Sequence, residues 1–162
     1  MTMPRRAAML MLLCLAGSAI AQQLDTRFSC SAERDEDGEA ATYADTAEFR
    51  LNGNRIEAFA WESSLFRSTH GFDCSIDQSD GLLAEVRAER ERTTWRISLT
   101  DAHAARERRG YRFDRGMNCT IRLEREGDTL TVKPSCPALC GSRSNFTALS
   151  VDLKSGKCRY EE

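Results

Sequence analysis

Two cysteines four residues apart, Cys136 and Cys140, form the pattern in this chain that most suggests chemistry, and Gly141, Ser142 and Arg143 follow them at once. Such a pair could belong to a metal site, a redox centre or a disulfide-bonded loop. Structural zinc sites favour C-x-x-C pairs with histidines at short spacing, and redox cysteines sit in a helical active-site pattern; neither feature is present. The spacing therefore favours a loop held by disulfides, with no metal bound.

The first 21 residues have the pattern of a secretion signal. Arg5 and Arg6 precede an apolar run over residues 7–16, and Ala19-Ile20-Ala21, with a small residue at its first and third positions, forms a cleavage site. This pattern predicts a signal peptide at 1–21, a single domain at 22–162 and export to the periplasm. No later stretch reaches the roughly 18 consecutive apolar residues of a spanning helix, so the sequence predicts no membrane span.

The cysteine count supports the same compartment. The chain has seven cysteines, and removing Cys14 with the signal leaves an even set, which in an exported chain predicts three disulfides and no free thiol. Facing positions on a predicted hairpin favour one pair, the usual meeting of first and last strands favours a second, and the third pair is what remains. The predicted pairs are Cys119–Cys136, Cys30–Cys158 and Cys74–Cys140.

The charge pattern argues against nucleic acid as a partner. The formal net charge is −2 at pH 7 and becomes more negative without the two signal arginines, so the chain lacks the cationic excess that displaces phosphate counterions. Two clusters of opposite sign are expected in solvated loops. The acidic cluster is Glu33, Asp35, Glu36, Asp37 and Glu39, and the basic one is Arg87, Arg90, Arg92, Arg106, Arg108, Arg109, Arg112 and Arg115.

Hydrophobic residues alternate with a period of two along most of the chain, which is typical of half-buried strands. Turn residues at 52–54, 125–128 and 154–157 separate such segments and predict three hairpins. Further strands are expected at 82–86 and 95–99, and one short helix at 102–108. The sequence therefore predicts an all-β fold, an antiparallel β-sandwich or barrel of short strands, stapled by three disulfides.

Catalytic motifs are missing from the sequence. There is no G-x-S-x-G elbow, H-E-x-x-H motif or phosphate-binding loop. His70 and His103 are expected in solvent-exposed loops, and Asp35 and Asp37 would suit a glycosidase only on opposite sides of a cleft. We therefore predict a protein that is not an enzyme and needs no cofactor.

Two short segments carry a resemblance to a known family. Phe72-Asp73-Cys74-Ser75-Ile76 and Cys140-Gly141-Ser142-Arg143-Ser144 resemble the "CS" and "CG-x-R-A" elements of small bacterial periplasmic proteins related to lysozyme inhibitors. The resemblance covers roughly residues 28–153. It implies an eight-stranded or similar β-sandwich that blocks a muramidase by inserting a loop into its active-site cleft. Ser144 stands where the related proteins usually have Ala, and the chain lacks their Ser-Gly-x-x-Tyr loop.

The chemistry of residues 142–144 suits such a role. A glycan-cleaving cleft is lined by carboxylates, and Arg143 between Ser142 and Ser144 offers a cation and hydrogen-bond donors. A second predicted binding tip contains Arg109 and Tyr111, side-chain types that are frequent at binding hot spots. The structural alternative is that Gly141 supplies a special backbone angle and Arg143 packs along a sheet edge.

Two classes of function therefore follow from the sequence. The first is a periplasmic interaction protein that inhibits a lysozyme-like peptidoglycan hydrolase or gives immunity against one, with that hydrolase as its protein partner. The second is a periplasmic module that binds a small ligand or glycan on exposed aromatic rings. Its candidate stacking residues are Trp61, Trp95 and Tyr111, although such aromatic residues often belong to the core.

Overall fold

A computed structural model describes residues 22–110, 119–135 and 146–161. Within these residues lie ten strands, where the resemblance implied about eight. Their bounds are β1 Gln23–Glu36, β2 Glu39–Asn52, β3 Arg55–Arg67, β4 Gly71–Asp77, β5 Leu82–Glu89, β6 Arg92–Leu99, β7 Ile121–Glu126, β8 Thr129–Pro134, β9 Leu149–Asp152 and β10 Cys158–Tyr160. A 3-10 turn spans Gln78–Asp80, and helix α1 spans Ala102–Arg108.

The tight turns lie where the sequence predicts them. Gly53 has φ +58° between β2 and β3, and Gly127 has φ +59° between β7 and β8, a region that glycine enters without steric cost. The hairpin predicted near the C-terminus is formed by β9 and β10. All three predicted hairpins are confirmed, as is the helix over 102–108.

The strands form two antiparallel sheets in which neighbours in the chain are neighbours in space. The first sheet has the order β1-β2-β3-β4, and the second has the order β10-β9-β8-β7-β6-β5. The prediction of an antiparallel all-β fold is confirmed. That prediction left a sandwich and a barrel open. The described residues form two separate sheets and do not close into a barrel.

One hydrophobic core is shared by both sheets. Alternate residues point inward along β2 and β3, and they meet inward residues of β6, β7, β8 and β9. Trp61 and Trp95 are both fully buried, each with 0% of its surface exposed. Neither indole therefore offers the stacking surface that the glycan-binding hypothesis assigned to it.

The two sheets are also joined at their edges. The side-chain oxygen of Asn54, in the turn between β2 and β3, accepts a hydrogen bond of 2.8 Å from the backbone N–H of Val86 on edge strand β5. At the other side, Cys30 on β1 and Cys158 on β10 form a disulfide with a Cα–Cα distance of 5.8 Å. This predicted pair is confirmed, and it links the first strand of one sheet to the last strand of the other.

The structure describes only two of the other four cysteines in the predicted disulfides. Cys74 and Cys119 are both disulfide-bonded, while Cys136 and Cys140 lie outside the described residues. The pairs Cys119–Cys136 and Cys74–Cys140 thus remain predictions. The signal peptide predicted at 1–21 also lies outside the described residues.

The charged clusters do not lie in loops as expected. The acidic residues belong to the ends of β1 and β2, which pair from Glu36↔Glu39 onward and turn at Asp37 and Gly38. Glu33, Asp35 and Asp37 are exposed, and the high charge of this stretch obscured the hairpin. In the arginine cluster, Arg87 and Arg92 lie on β5 and β6, Arg106 and Arg108 lie on α1, and Arg90 lies in a turn as expected, while Arg112 and Arg115 lie outside the described residues. His103 lies on α1, whereas His70 is in the predicted loop.

No helix within the described ranges has the length and apolar character needed to cross a membrane.

Candidate functional site

The segment 136–145 contains three of the predicted partner-binding residues, and the structure describes the residues on both sides of it. Ser142, Arg143 and Ser144 themselves lie outside the described residues. What the structure does show is how the chain is held immediately before the segment, at Ser135, and immediately after it, at Phe146.

Ser135 is held to Thr120, the residue immediately before β7. Its backbone N–H donates to the carbonyl of Thr120 over 2.7 Å, and its hydroxyl accepts from the backbone N–H of Thr120 over 2.8 Å. These two bonds continue the β7–β8 pairing beyond Pro134. The segment therefore starts from a fixed end of the second sheet.

Phe146 is held inside the core. Its side chain is fully buried, and its ring centroid lies 4.5 Å from that of Trp61. Its backbone N–H donates to the hydroxyl of Ser63 over 3.1 Å. Phe146 has φ +62°, a left-handed conformation that costs a bulky residue free energy and persists only where packing enforces it.

A buried carboxylate lies beneath this anchor. Asp45 on β2 is only 1% exposed and accepts hydrogen bonds from the indole N–H of Trp61 over 2.8 Å and from the hydroxyl of Tyr160 over 2.6 Å. Ser63 also bonds to it. Burial raises the pKa of Asp45, and these hydrogen bonds oppose that rise by favouring the carboxylate.

Asp45 therefore connects three parts of the fold. Trp61 and Ser63 belong to β3, Tyr160 belongs to β10, and Ser63 carries the anchor of Phe146. Burial, followed by its bond to Asp45, raises the pKa of Tyr160, so its phenol stays protonated and acts as a donor. The sequence analysis did not identify this cluster, although Asp45 occupies an inward position in the alternation of β2.

Arg109 is the predicted partner-binding residue that lies within the described ranges, and it is engaged with the first sheet. Its guanidinium donates two bonds of 2.7 Å to the two carboxylate oxygens of Asp80, one of 3.0 Å to Asp77 and one of 2.7 Å to the hydroxyl of Ser75. The side chain of Asp80 is only 6% exposed. The bond to Asp80 raises the pKa of Arg109, which stays cationic.

These contacts tie the end of α1 to β4 and the 3-10 turn. Asp77 caps that turn, and hydrogen bonds from Ser79, followed by Arg109, lower the pKa of the Asp77 carboxyl. Arg109 therefore has the geometry of a structural clamp. Its predicted role at a partner surface stays a prediction, and Tyr111 lies outside the described residues.

His70 and His103 are both exposed on the surface. Nδ1 of His70 lies 2.8 Å from the hydroxyl of Thr69 on an exposed loop, and His103 is exposed on α1. Across the described ranges, no group of three or more His, Cys, Asp or Glu side chains is arranged to hold a metal ion.

Comparisons with protein-family models, with curated proteins and with solved structures find no match to this chain. Its function is therefore argued from its residues and their geometry.

Proposed function

We propose that the protein is a periplasmic interaction protein that inhibits a lysozyme-like peptidoglycan hydrolase, or gives immunity against one, by inserting residues 136–145 into the enzyme cleft. The observation that carries the proposal is the anchoring of the chain at Ser135 and Phe146 on either side of that segment. A loop with both ends held loses less conformational entropy when it enters a cleft, so more of its contact energy appears as affinity.

Arg143 is the residue that we assign to the tip of the loop. The catalytic cleft of a muramidase contains carboxylates, and an arginine can form two parallel, charge-assisted hydrogen bonds with a carboxylate. Ser142 and Ser144 add hydroxyl groups on either side. This assignment rests on the resemblance to lysozyme-inhibitor-related proteins and on the residue chemistry.

Three disulfides complete the proposed framework. Cys136 and Cys140 both belong to the segment, and their predicted partners, Cys119 and Cys74, are disulfide-bonded residues. In that arrangement the segment is tied covalently to both sheets. Thiol labelling of denatured, unreduced protein should find no free thiol in residues 22–162, and two reactive thiols per chain would contradict the framework.

Export is part of the same proposal. The Cys30–Cys158 disulfide suits an oxidising compartment, where such bonds persist. Peptidoglycan hydrolases act in the cell envelope, so the predicted signal at 1–21 would bring the protein to its partner.

The central test is inhibition of muramidases of several types by the wild-type protein and by Arg143→Ala. We expect Arg143→Ala to weaken binding by about 2 kcal/mol or more, about 30-fold in Kd, because a charged tip residue is a typical hot spot. Its melting temperature should stay close to that of the wild type, because truncating an exposed side chain changes stability by about 0.5 kcal/mol or less.

Arg55→Ala is the matched control. Arg55 is 70% exposed, contacts Glu57 and lies about 26 Å along β3 from Ser63, which anchors the segment. It should inhibit like the wild type. Absence of inhibition by the wild-type protein, or equal inhibition by all three proteins, would overturn the proposal.

A further inference from the structure

Three cations lie side by side on the outward face of the second sheet. Arg96 on β6 is directly opposite Arg122 on β7, which is directly opposite Lys133 on β8. Directly opposed residues on neighbouring strands have Cβ atoms about 5 Å apart, so this cation row is about 10 Å long. The side chains are 58%, 58% and 46% exposed, respectively.

Like charges that face each other across strands destabilise a sheet, so the row requires compensation. Within the described part of the chain each cation has one ion-pair partner: Glu85 lies 3.3 Å from Arg96, Glu124 lies 2.6 Å from Arg122, and Glu161 lies 3.6 Å from Lys133. The carboxylates lie on different sides of the row, and none separates one cation from the next in the strand register. The outward face therefore has a continuous cationic centre with acidic flanks.

The cation row lies in a groove whose lining includes Ser135, the residue before the proposed inhibitory segment. The groove has a volume of about 740 Å³, and its lining includes hydroxyl groups of Thr94, Thr120 and Ser135 beside the three cations. Ser135 is the residue immediately before segment 136–145 and is pinned to Thr120. A partner that engages the segment would thus meet this groove at the base of the segment.

We propose that Arg96, Arg122 and Lys133 form a docking surface for a carboxylate-bearing face of a partner protein. The inference rests on the proposed function in one respect: the partner is the inhibited hydrolase, and the docking face is the acidic rim beside its cleft. Complementary charge at the rim of an interface accelerates association and sets its orientation. The segment then supplies short-range contacts, and the cation row guides the approach.

The acidic flanks favour a carboxylate-bearing partner over a phosphate polymer. Binding to a phosphate polymer depends on an excess of cations that displaces counterions along the backbone, and Glu85, Glu124 and Glu161 would oppose such a polymer. A protein face with separated carboxylates and cations can match both signs. Arginine also pairs with carboxylates through two parallel N–H bonds.

The test reverses the central charge with Arg122→Glu and compares it with Arg27→Glu. Arg27 is the matched control because it is an exposed strand arginine, 73% exposed and 2.9 Å from Glu48, on the other sheet. Association rate constants with an inhibited muramidase are measured at low and high salt, and each variant is checked by thermal unfolding. We expect Arg122→Glu to slow association about tenfold or more at low salt, with little difference at high salt.

A second measurement uses poly-L-glutamate and polyphosphate as probes, so that it does not require a muramidase. We expect the wild type and Arg27→Glu to retain poly-L-glutamate, and Arg122→Glu to lose that retention. If retention depends on Arg122 for polyphosphate but not for poly-L-glutamate, the surface binds phosphate polymers and the inference is wrong.

The outcomes separate this inference from the proposed function. If muramidase inhibition is present but both charge reversals associate at the wild-type rate, the docking surface is refuted and the inhibitory segment stands. If no muramidase is inhibited but poly-L-glutamate retention depends on Arg122, the proposed function fails and the carboxylate-binding surface stands. Equal retention of poly-L-glutamate by all three proteins would also refute the surface.

Discussion

The hydroxyl of Tyr160 donates a 2.6 Å hydrogen bond to the buried carboxylate of Asp45, and this bond joins the last strand of the second sheet to the first sheet. Strand β10 has only three residues and pairs with β9 alone. Its attachment across the sheets therefore depends on side chains, namely Tyr160 and the disulfide of Cys158.

Tyr160→Phe should reduce the free energy of unfolding by about 1 to 3 kcal/mol, because it leaves a buried carboxylate short of one donor. Urea unfolding measures the change. Combining it with Asp45→Ala gives a double-mutant cycle, in which the two losses should be less than additive because each removes the Tyr160–Asp45 bond. Strict additivity would show that the bond does not contribute to stability.

The pH dependence of stability should reveal the raised pKa of Asp45. Burial raises that pKa in the folded protein, so the folded state binds the proton more tightly than the unfolded chain does. The contribution of Asp45 to stability therefore rises as pH falls through its folded pKa, and it levels off below about pH 4, the ordinary carboxyl value. The unfolding free energy of the wild type relative to Asp45→Asn should increase between pH 7 and about pH 4.

Asp77 gives the comparison of opposite sign. Hydrogen bonds from Ser79, followed by Arg109, lower its pKa, so its stabilisation is present above about pH 4 and is lost as pH falls through the folded pKa. The wild type should lose its advantage over Asp77→Asn in acid. If Asp45→Asn and Asp77→Asn show the same trend, the assignment for Asp45 is wrong.

Arg109→Ala distinguishes a structural role of Arg109 from the partner-binding role that the sequence predicts. The substitution removes every hydrogen bond that the guanidinium makes to Asp80, and we expect it to lower the free energy of unfolding by about 1.5 to 3 kcal/mol. Arg109→Lys should recover only part of this loss, because an ammonium cannot reproduce the two parallel bonds.

Arg108→Ala is the neighbouring control, since among the described residues Arg108 donates one hydrogen bond, of 3.4 Å, to the carbonyl of Asp80. It should cost much less stability than Arg109→Ala in the same unfolding assay. An Arg109→Ala protein with normal stability and weakened muramidase binding would instead place Arg109 at the partner surface.

Local turn chemistry made much of the fold predictable. Gly53 and Gly127 adopt the positive φ that their turns require, and the flanking residues alternate as strands do. The pairing of Cys30 with Cys158 could also be predicted, because the first and last strands of such folds often meet. The hairpin of β1 and β2 was missed because residues 33–39, which form the two strand ends and the turn between them, have a composition typical of a loop.

The candidate site was less predictable because its contacts connect residues distant in sequence. Arg109 precedes Gly110 and so resembles a turn tip, but its partners Asp77 and Asp80 are set by the packing of α1 against β4. Asp45 could have been noticed as a polar residue at an inward position of β2. Its hydrogen-bond donors on β3 and β10 could not have been predicted, since they depend on how the sheets pack.

The anchor at Phe146 leads to a prediction about inhibition that involves no contact with the target. Ser63 is buried, accepts the backbone N–H of Phe146 over 3.1 Å and bonds to Asp45. Ser63→Ala leaves that N–H without its acceptor, so the end of segment 136–145 should open more often. Hydrogen exchange at the Phe146 amide should become faster, and inhibition of a muramidase should become several-fold weaker because binding must first order the loose end.

Ser150→Ala distinguishes this effect from a general loss of stability. Ser150 is also a buried strand serine, and its hydroxyl accepts a bond of 3.3 Å from Arg159, away from the anchor at Phe146. At a temperature where both variants are fully folded, Ser150→Ala should inhibit like the wild type and Ser63→Ala should not. If the two variants inhibit equally well while Phe146 exchanges faster only in Ser63→Ala, the anchored end does not contribute to presenting the segment.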